Sequence, residues 1–192
     1  ASGVPGSVAG LLHALERYGR LDRATVMAPA IELAERGFPV SFTLSNTLTS
    51  PWGQRLLANP AAKSYLFRPD GSVYQPGEIL RQPDLAWTLR QIAERGTAGF
   101  YEGPVADQLV AEMERGGGLI TRRDLKQYRA LEREPVRGSF HGFEIVSMPP
   151  PSSGGVHLVQ ILNMLEQDDL AGMGHNSAAY LHVVTESIKL AF

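Results

Sequence analysis

Apolar positions along this chain recur mostly at helical spacing. Val8, Leu11, Leu12 and Leu15 form one stripe, opened by Pro5 and Gly6 and closed by Gly19, which predicts a first helix. "APAIELAERG" predicts a second, with Pro29 in its first turn and Gly37 just past its end. "SFTLSNTLTS" and "WGQRLLANP" read as helical stretches broken at Pro51. Asp70-Gly71 predicts a turn between the short segments "YLF" and "VY". Leu85, Leu89 and Ile92 make another stripe, stopped at Gly96, and Val105, Leu109 and Met113 a further one, stopped at Gly116. Thr121 and Asp124 have the spacing of a capping box ahead of a short helix.

The pattern changes at Glu134. Val136, Phe140, Phe143, Ile145 and Val146, around glycine breaks at Gly138 and Gly142, predict a β-hairpin within residues 134–149. Three prolines end its second strand. Val156, Val159, Ile161, Leu162 and Leu165 then mark an amphipathic helix, and a last helix begins near Ser177. The fold class expected is α+β: helix-rich, with too little strand for a self-sufficient sheet. The chain opens on Ala1, and a helical pattern runs to Phe192 without a stop signal. Both features lead to the expectation of a segment truncated at both ends.

Composition narrows the function classes. Hydrophobic residues make up 43% and charged residues 20% of 192, so a packed globular unit is expected. A net charge of −2 offers no basic field for nucleic acid. No apolar run approaches the roughly 20 residues of a membrane span. There is no cysteine, which removes disulfides, thiolate metal sites and cysteine nucleophiles together.

The candidate site is the corner "MPPPSSGG", where Ser152, Ser153, Gly154 and Gly155 fall between strand and helix. It departs from the Gly-x-Ser-x-Gly nucleophile elbow, because prolines precede its serines. Two readings stay open. The serines cap the helix and the glycines let it sit close to the strand, or the free N–H groups meet a ligand. The five histidines, His13, His141, His157, His175 and His182, lack a zinc-protease arrangement, and His175 and His182 have no evident third ligand, so no metal site is expected. Asp168 and Asp169 read as solvated loop charges. "RGGGLITRRD" lacks the Lys-Ser/Thr ending of a phosphate loop and reads as one helix end followed by a new cap.

Five segments carry a family resemblance: "GVPGSVAG" at residues 3–10, "ELAERGFPV" at 32–40, "FYEGPVADQLVAEM" at 100–113, "GGLITRRDLKQYRALEREPVRG" at 117–138 and "MPPPSSGG" at 148–155. In this order they resemble the large subunit of the gamma-glutamyltransferases, also called gamma-glutamyltranspeptidases or glutathione hydrolases. The resemblance implies an N-terminal-nucleophile hydrolase with a four-layer αββα sandwich, of which residues 1–192 form part of one domain. It implies a precursor that cleaves itself into a large subunit and a small one. The new N-terminal threonine of the small subunit attacks the γ-glutamyl carbonyl of glutathione or a related compound. Its own α-amine serves as base and a backbone N–H pair holds the oxyanion. No cofactor is implied.

By the same resemblance, the nucleophile lies beyond Phe192 and the arginine gripping the substrate carboxylate lies before Ala1. No catalytic residue is therefore expected within these 192 positions. Thr121 and Thr185 do not substitute, since neither starts a chain. The expected partners are the small subunit and a γ-glutamyl compound, and export to the periplasm or secretion is implied. A related acylase or capsule transpeptidase is the nearest alternative; a non-catalytic helical binding module is the alternative from another class.

Overall fold

The computed structural model describes residues 3–192; Ala1 and Ser2 of the expected 1–192 segment lie outside the described residues. The chain divides into two compact units, one ending at Ala130 and one spanning Leu131–Phe192.

In the first unit, α1 (Ser7–Tyr18) ends at Gly19 as expected. Helix α2 (Arg23–Arg36) starts earlier than its proline suggested. Asp22 caps it, accepting from Thr25 N at 2.8 Å, so Pro29 sits in the helix body. The capping carboxylate supplies the start signal. Gly37, at φ +87°, ends the helix. Strand β1 (Phe38–Pro39) pairs antiparallel with β2 (Ile79–Leu80), a ladder too short to leave a period in the sequence. Helix α3 (Phe42–Thr49) is capped by Ser41, and Pro51 then opens α4 (Pro51–Arg55) at a position where its missing N–H costs nothing.

A 3-10 turn (Leu56–Ala58) leads to α5 (Pro60–Leu66), so the "YL" of "YLF" is helical. The turn at Asp70-Gly71 is present, with Ser72 N donating to Asp70 Oδ1 at 2.9 Å and Gly71 at φ +85°. It follows a helix, not a strand. Helices α6 (Pro83–Arg95), α7 (Ala98–Tyr101), α8 (Gly103–Gly116) and α9 (Arg122–Gln127) complete the unit. The Thr121–Asp124 capping box is formed at α9. Helices α2 and α6 pack together, and Arg23 donates to Ala93 O at 2.9 Å, occupying a carbonyl that α6 leaves open at its end. The core joins Ala9, Tyr101, Ala106, Ile120 and Leu125, with Val8, Leu109, Met113 and Tyr128 packed against it.

The second unit contains the expected hairpin, β3 (Val136–Phe140) and β4 (Phe143–Ser147), with Gly138 opposite Ile145 and Phe140 opposite Phe143. His141 and Gly142 take positive φ at the turn, as a tight two-residue connection demands. Gly138 is not a strand break. A Cβ there would lie 2.7 Å from Val159 Cγ1, so the glycine lets α10 (Gly154–Leu165) sit on β3. Helix α11 (Ala178–Ala191), capped by Ser177, packs on α10. Both carboxylate oxygens of Glu166, just past α10, accept from His141 N at 3.1 Å, tying the turn to the helix end. Phe143 and Ile188 remain exposed, whereas Ile145 and Val183 are half-buried.

Candidate functional site

The Ser-Ser-Gly-Gly corner forms where β4 hands over to α10. Ser152 N donates to Pro149 O at 3.2 Å, and the Pro150-Pro151 peptide bond is cis. Ser152 Oγ accepts from Gly154 N at 3.3 Å, covering one of the N–H groups that a helix start leaves open. Ser153 occupies the N-cap position but makes no side-chain cap. Its φ of −76° and ψ of −22° are already helical, whereas a capping hydroxyl reaches back from an extended backbone. The expectation that either serine caps therefore resolves to Ser152. Gly155 is buried, and a Cβ on it would lie 2.0 Å from Met148 O, so only glycine fits there. Gly154 is exposed and would meet only Ser152 Oγ, at 3.5 Å. All four expected positions thus share one turn, in which Ser153 and Gly154 face solvent.

One turn along α10, the His157 ring sits edge-on to Phe192, centroids 4.2 Å apart. His157 Nδ1 is buried and has no hydrogen-bond partner among the described residues. His175 Nε2 lies 3.1 Å from Asn176 Nδ2. Among the described residues, no three His, Cys, Asp or Glu side chains are gathered to hold a metal ion. Thr121 is committed to its cap: its hydroxyl and N–H both donate to Asp124 Oδ2, at 2.6 and 2.8 Å. Those bonds hold the Asp124 carboxyl below its ordinary value of 3.8. Asp169 accepts from Gly172 N at 2.9 Å within its loop.

A second constellation surrounds the start of α1, which no side chain of its own caps. Tyr101 Oη, from 95 positions downstream of Gly6, accepts from Ala9 N at 3.2 Å and donates to Pro5 O at 2.6 Å. The Tyr128 ring stacks on Tyr101 with centroids 5.6 Å apart, and a Cβ on Gly6 would fall 2.1 Å from Tyr128 Oη. Burial holds the Tyr101 phenol above its usual value of 10.0. Beside the tyrosines is a cleft of about 360 Å³, rimmed by His13, Glu16, Glu102, Lys126 and Arg129. The sequence reading missed this grouping. Its signal was the tyrosines of "FYEG" and "LKQY", which look like ordinary amphipathic residues until the fold joins them.

Three of the five resembling segments meet in that one place. "GVPGSVAG" supplies Pro5, Gly6 and Ala9; "FYEGPVADQLVAEM" supplies Tyr101 and Ala106; and the segment from 117 to 138 supplies Ile120, Leu125 and Tyr128. There they pack the core and satisfy the start of α1.

The chain matches the family model "Gamma-glutamyltranspeptidase" over residues 1–192. It is 43% identical over 192 residues to the glutathione hydrolase proenzyme of Escherichia coli (strain K12), covering all of this chain and 33% of that protein. It is 44% identical over 192 residues to the acylase ACY 1 proenzyme of Pseudomonas sp. (strain SE83), covering 100% of this chain and 34% of that protein. The crystal structure of Helicobacter pylori gamma-glutamyltranspeptidase superposes with a TM-score of 0.95 at 42% identity, covering 99% of this chain and 54% of that one. The chain belongs to the gamma-glutamyltranspeptidase family. It spans about a third of the length of these curated relatives. Its α+β class is the one expected, and its helix-rich fold with small sheets follows that of the solved enzyme. Among the described residues, no helix is long and apolar enough to cross a membrane.

Proposed function

We propose that the full-length protein transfers the γ-glutamyl group of glutathione and related γ-glutamyl compounds to water, amino acids or peptides. The observation that supports this most directly is the TM-score of 0.95 to a gamma-glutamyltranspeptidase over 99% of the chain. In this reading the protein is made as a precursor and matures into a large subunit, to which these residues belong, and a small subunit with an N-terminal threonine. The threonine Oγ attacks the γ-carbonyl while its α-amine takes the hydroxyl proton. The C–N bond breaks, the proton passes to the leaving amine, and an ester is left on the threonine. Water or an amine then attacks the ester and restores the hydroxyl.

This chain supplies scaffold and wall. Ser152, Ser153, Gly154 and Gly155 border the substrate as a rigid strand-to-helix corner, with no catalytic residue among positions 1–192. Loops at strand ends carry binding groups on rigid supports in many folds, which favours this placement. Periplasmic or secreted localisation belongs to the same proposal.

A second reading, an acylase, is favoured by the 44% identity to the Pseudomonas acylase proenzyme, level with the 43% to the Escherichia coli glutathione hydrolase. Initial rates of the full-length protein on a γ-glutamyl anilide and on an anilide of the same chain length without the α-amino and α-carboxyl groups separate the two. A γ-glutamyl transferase turns over the first and leaves the second nearly untouched; an acylase does the reverse.

A further inference from the structure

Helix α9 and the turn after it carry Arg122, Arg123, Lys126 and Arg129. Leu125, fully buried, and Tyr128, packed on the core, fix the rotation of this helix, so all four cations are exposed. Arg122 pairs with Asp107. Among the described residues, Arg123, Lys126 and Arg129 have no salt bridge. The acid nearest in sequence, Asp124, spends Oδ2 on the Thr121 cap. The Arg129 guanidinium is held in place, donating to Lys126 O at 2.9 Å and Tyr128 O at 2.6 Å. With Gln127, the four cations are the whole lining of an open depression of about 540 Å³. Lys126 and Arg129 also line the adjoining cleft, where Glu16 and Glu102 are the acidic groups that face them.

We infer that this depression binds a phosphate-bearing anion, a diphosphate or a phosphomonoester. The chain as a whole carries a net charge of −2, so Arg123, Lys126 and Arg129, without a salt bridge along α9 and the turn after it and with only Asp124 acting on Arg123, are a local concentration against the general sign. Like charges so close repel, and a ligand with two or more negative charges relieves that repulsion. Arginine offers forked donors that match phosphate oxygens, and lysine adds a point charge between them. The immobilised Arg129 lowers the ordering cost of binding. Three cations are too few for a nucleic-acid track. The site is independent of γ-glutamyl chemistry: it contains none of the residues assigned to the substrate corner.

Calorimetric titration of the full-length protein with inorganic pyrophosphate tests the inference. One saturable site is expected, weakening as salt is raised. The double variant Arg123→Gln/Lys126→Gln should bind about tenfold or more weakly, the scale of a lost charged hydrogen bond, while its thermal midpoint and circular dichroism stay those of the parent. Arg36→Gln, a surface cation elsewhere, should bind as the parent does. Sedimentation with phosphatidylglycerol vesicles, against phosphatidylcholine vesicles, separates the sources. Pelleting that the double variant loses assigns the site to a lipid phosphate; pyrophosphate binding without pelleting assigns it to a free one. Absence of pyrophosphate binding, binding unchanged in the double variant, or citrate binding as tightly as pyrophosphate would each overturn it.

Discussion

Tyr101 reaches back across the chain to donate its hydroxyl hydrogen to Pro5 O at 2.6 Å, while accepting from Ala9 N at 3.2 Å. A side chain from the end of α7 thus caps the start of α1, where no local side chain does so. Tyr101→Phe keeps the ring and its stacking on Tyr128 but leaves Ala9 N, in a buried residue, without that acceptor. We expect a loss of about 1–3 kcal/mol, the cost of an unmade buried hydrogen bond. Urea unfolding of the full-length protein measures it; an unchanged midpoint would mean that the clamp contributes nothing.

The two glycines of the corner should respond in opposite ways. Gly155→Ala places a methyl 2.0 Å from Met148 O, a backbone atom that cannot step aside, and overpacking of this kind costs about 1–3 kcal/mol or more. Gly154→Ala meets only Ser152 Oγ at 3.5 Å and gains helix propensity, so its stability should match or exceed the parent's. Equal thermal midpoints for the two variants would contradict this account of the corner.

The serines should also differ. Ser152→Ala removes the acceptor for Gly154 N and should cost about 1 kcal/mol, as a lost cap does. Ser153→Ala removes a hydroxyl with no capping bond and should leave stability within about 0.5 kcal/mol, as surface changes do. Neither should abolish γ-glutamyl turnover. Loss of acyl-enzyme formation in either variant, with circular dichroism intact, would give that serine a catalytic part.

Much of this architecture was legible in the sequence. The stripes of α1, α6, α8 and α10 placed those helices, and the Thr121–Asp124 spacing placed a cap, because these signals are local and periodic. Pro29 misled, since an aspartate seven residues earlier had already set the helix start. The β1–β2 ladder was invisible at two residues a strand. The candidate corner was found as a segment, but which serine caps depended on the backbone angles of Ser153. The Tyr101 bonds to Pro5 and Ala9 join positions 96 and 92 apart, which no local pattern encodes.

The Asp124 carboxyl titrates below its ordinary value because Thr121 hydrogen-bonds its charged form. A depressed folded value means that the cap's contribution is present in full above the unfolded value, about 4 for aspartate, and is lost as pH falls through the folded one. Thr121→Ala should raise the Asp124 midpoint toward the unfolded value, as read by carboxyl-carbon NMR. A midpoint that does not move would show that the capping box does not set it.

Intact-mass spectrometry of the matured full-length protein, after brief incubation with a γ-glutamyl anilide, should show one added γ-glutamyl group, carried by the N-terminal threonine of the second chain, with residues 3–192 unmodified and the aniline released in step. An adduct on any residue between 3 and 192, or aniline release by a protein that has not matured into two chains, would contradict this assignment.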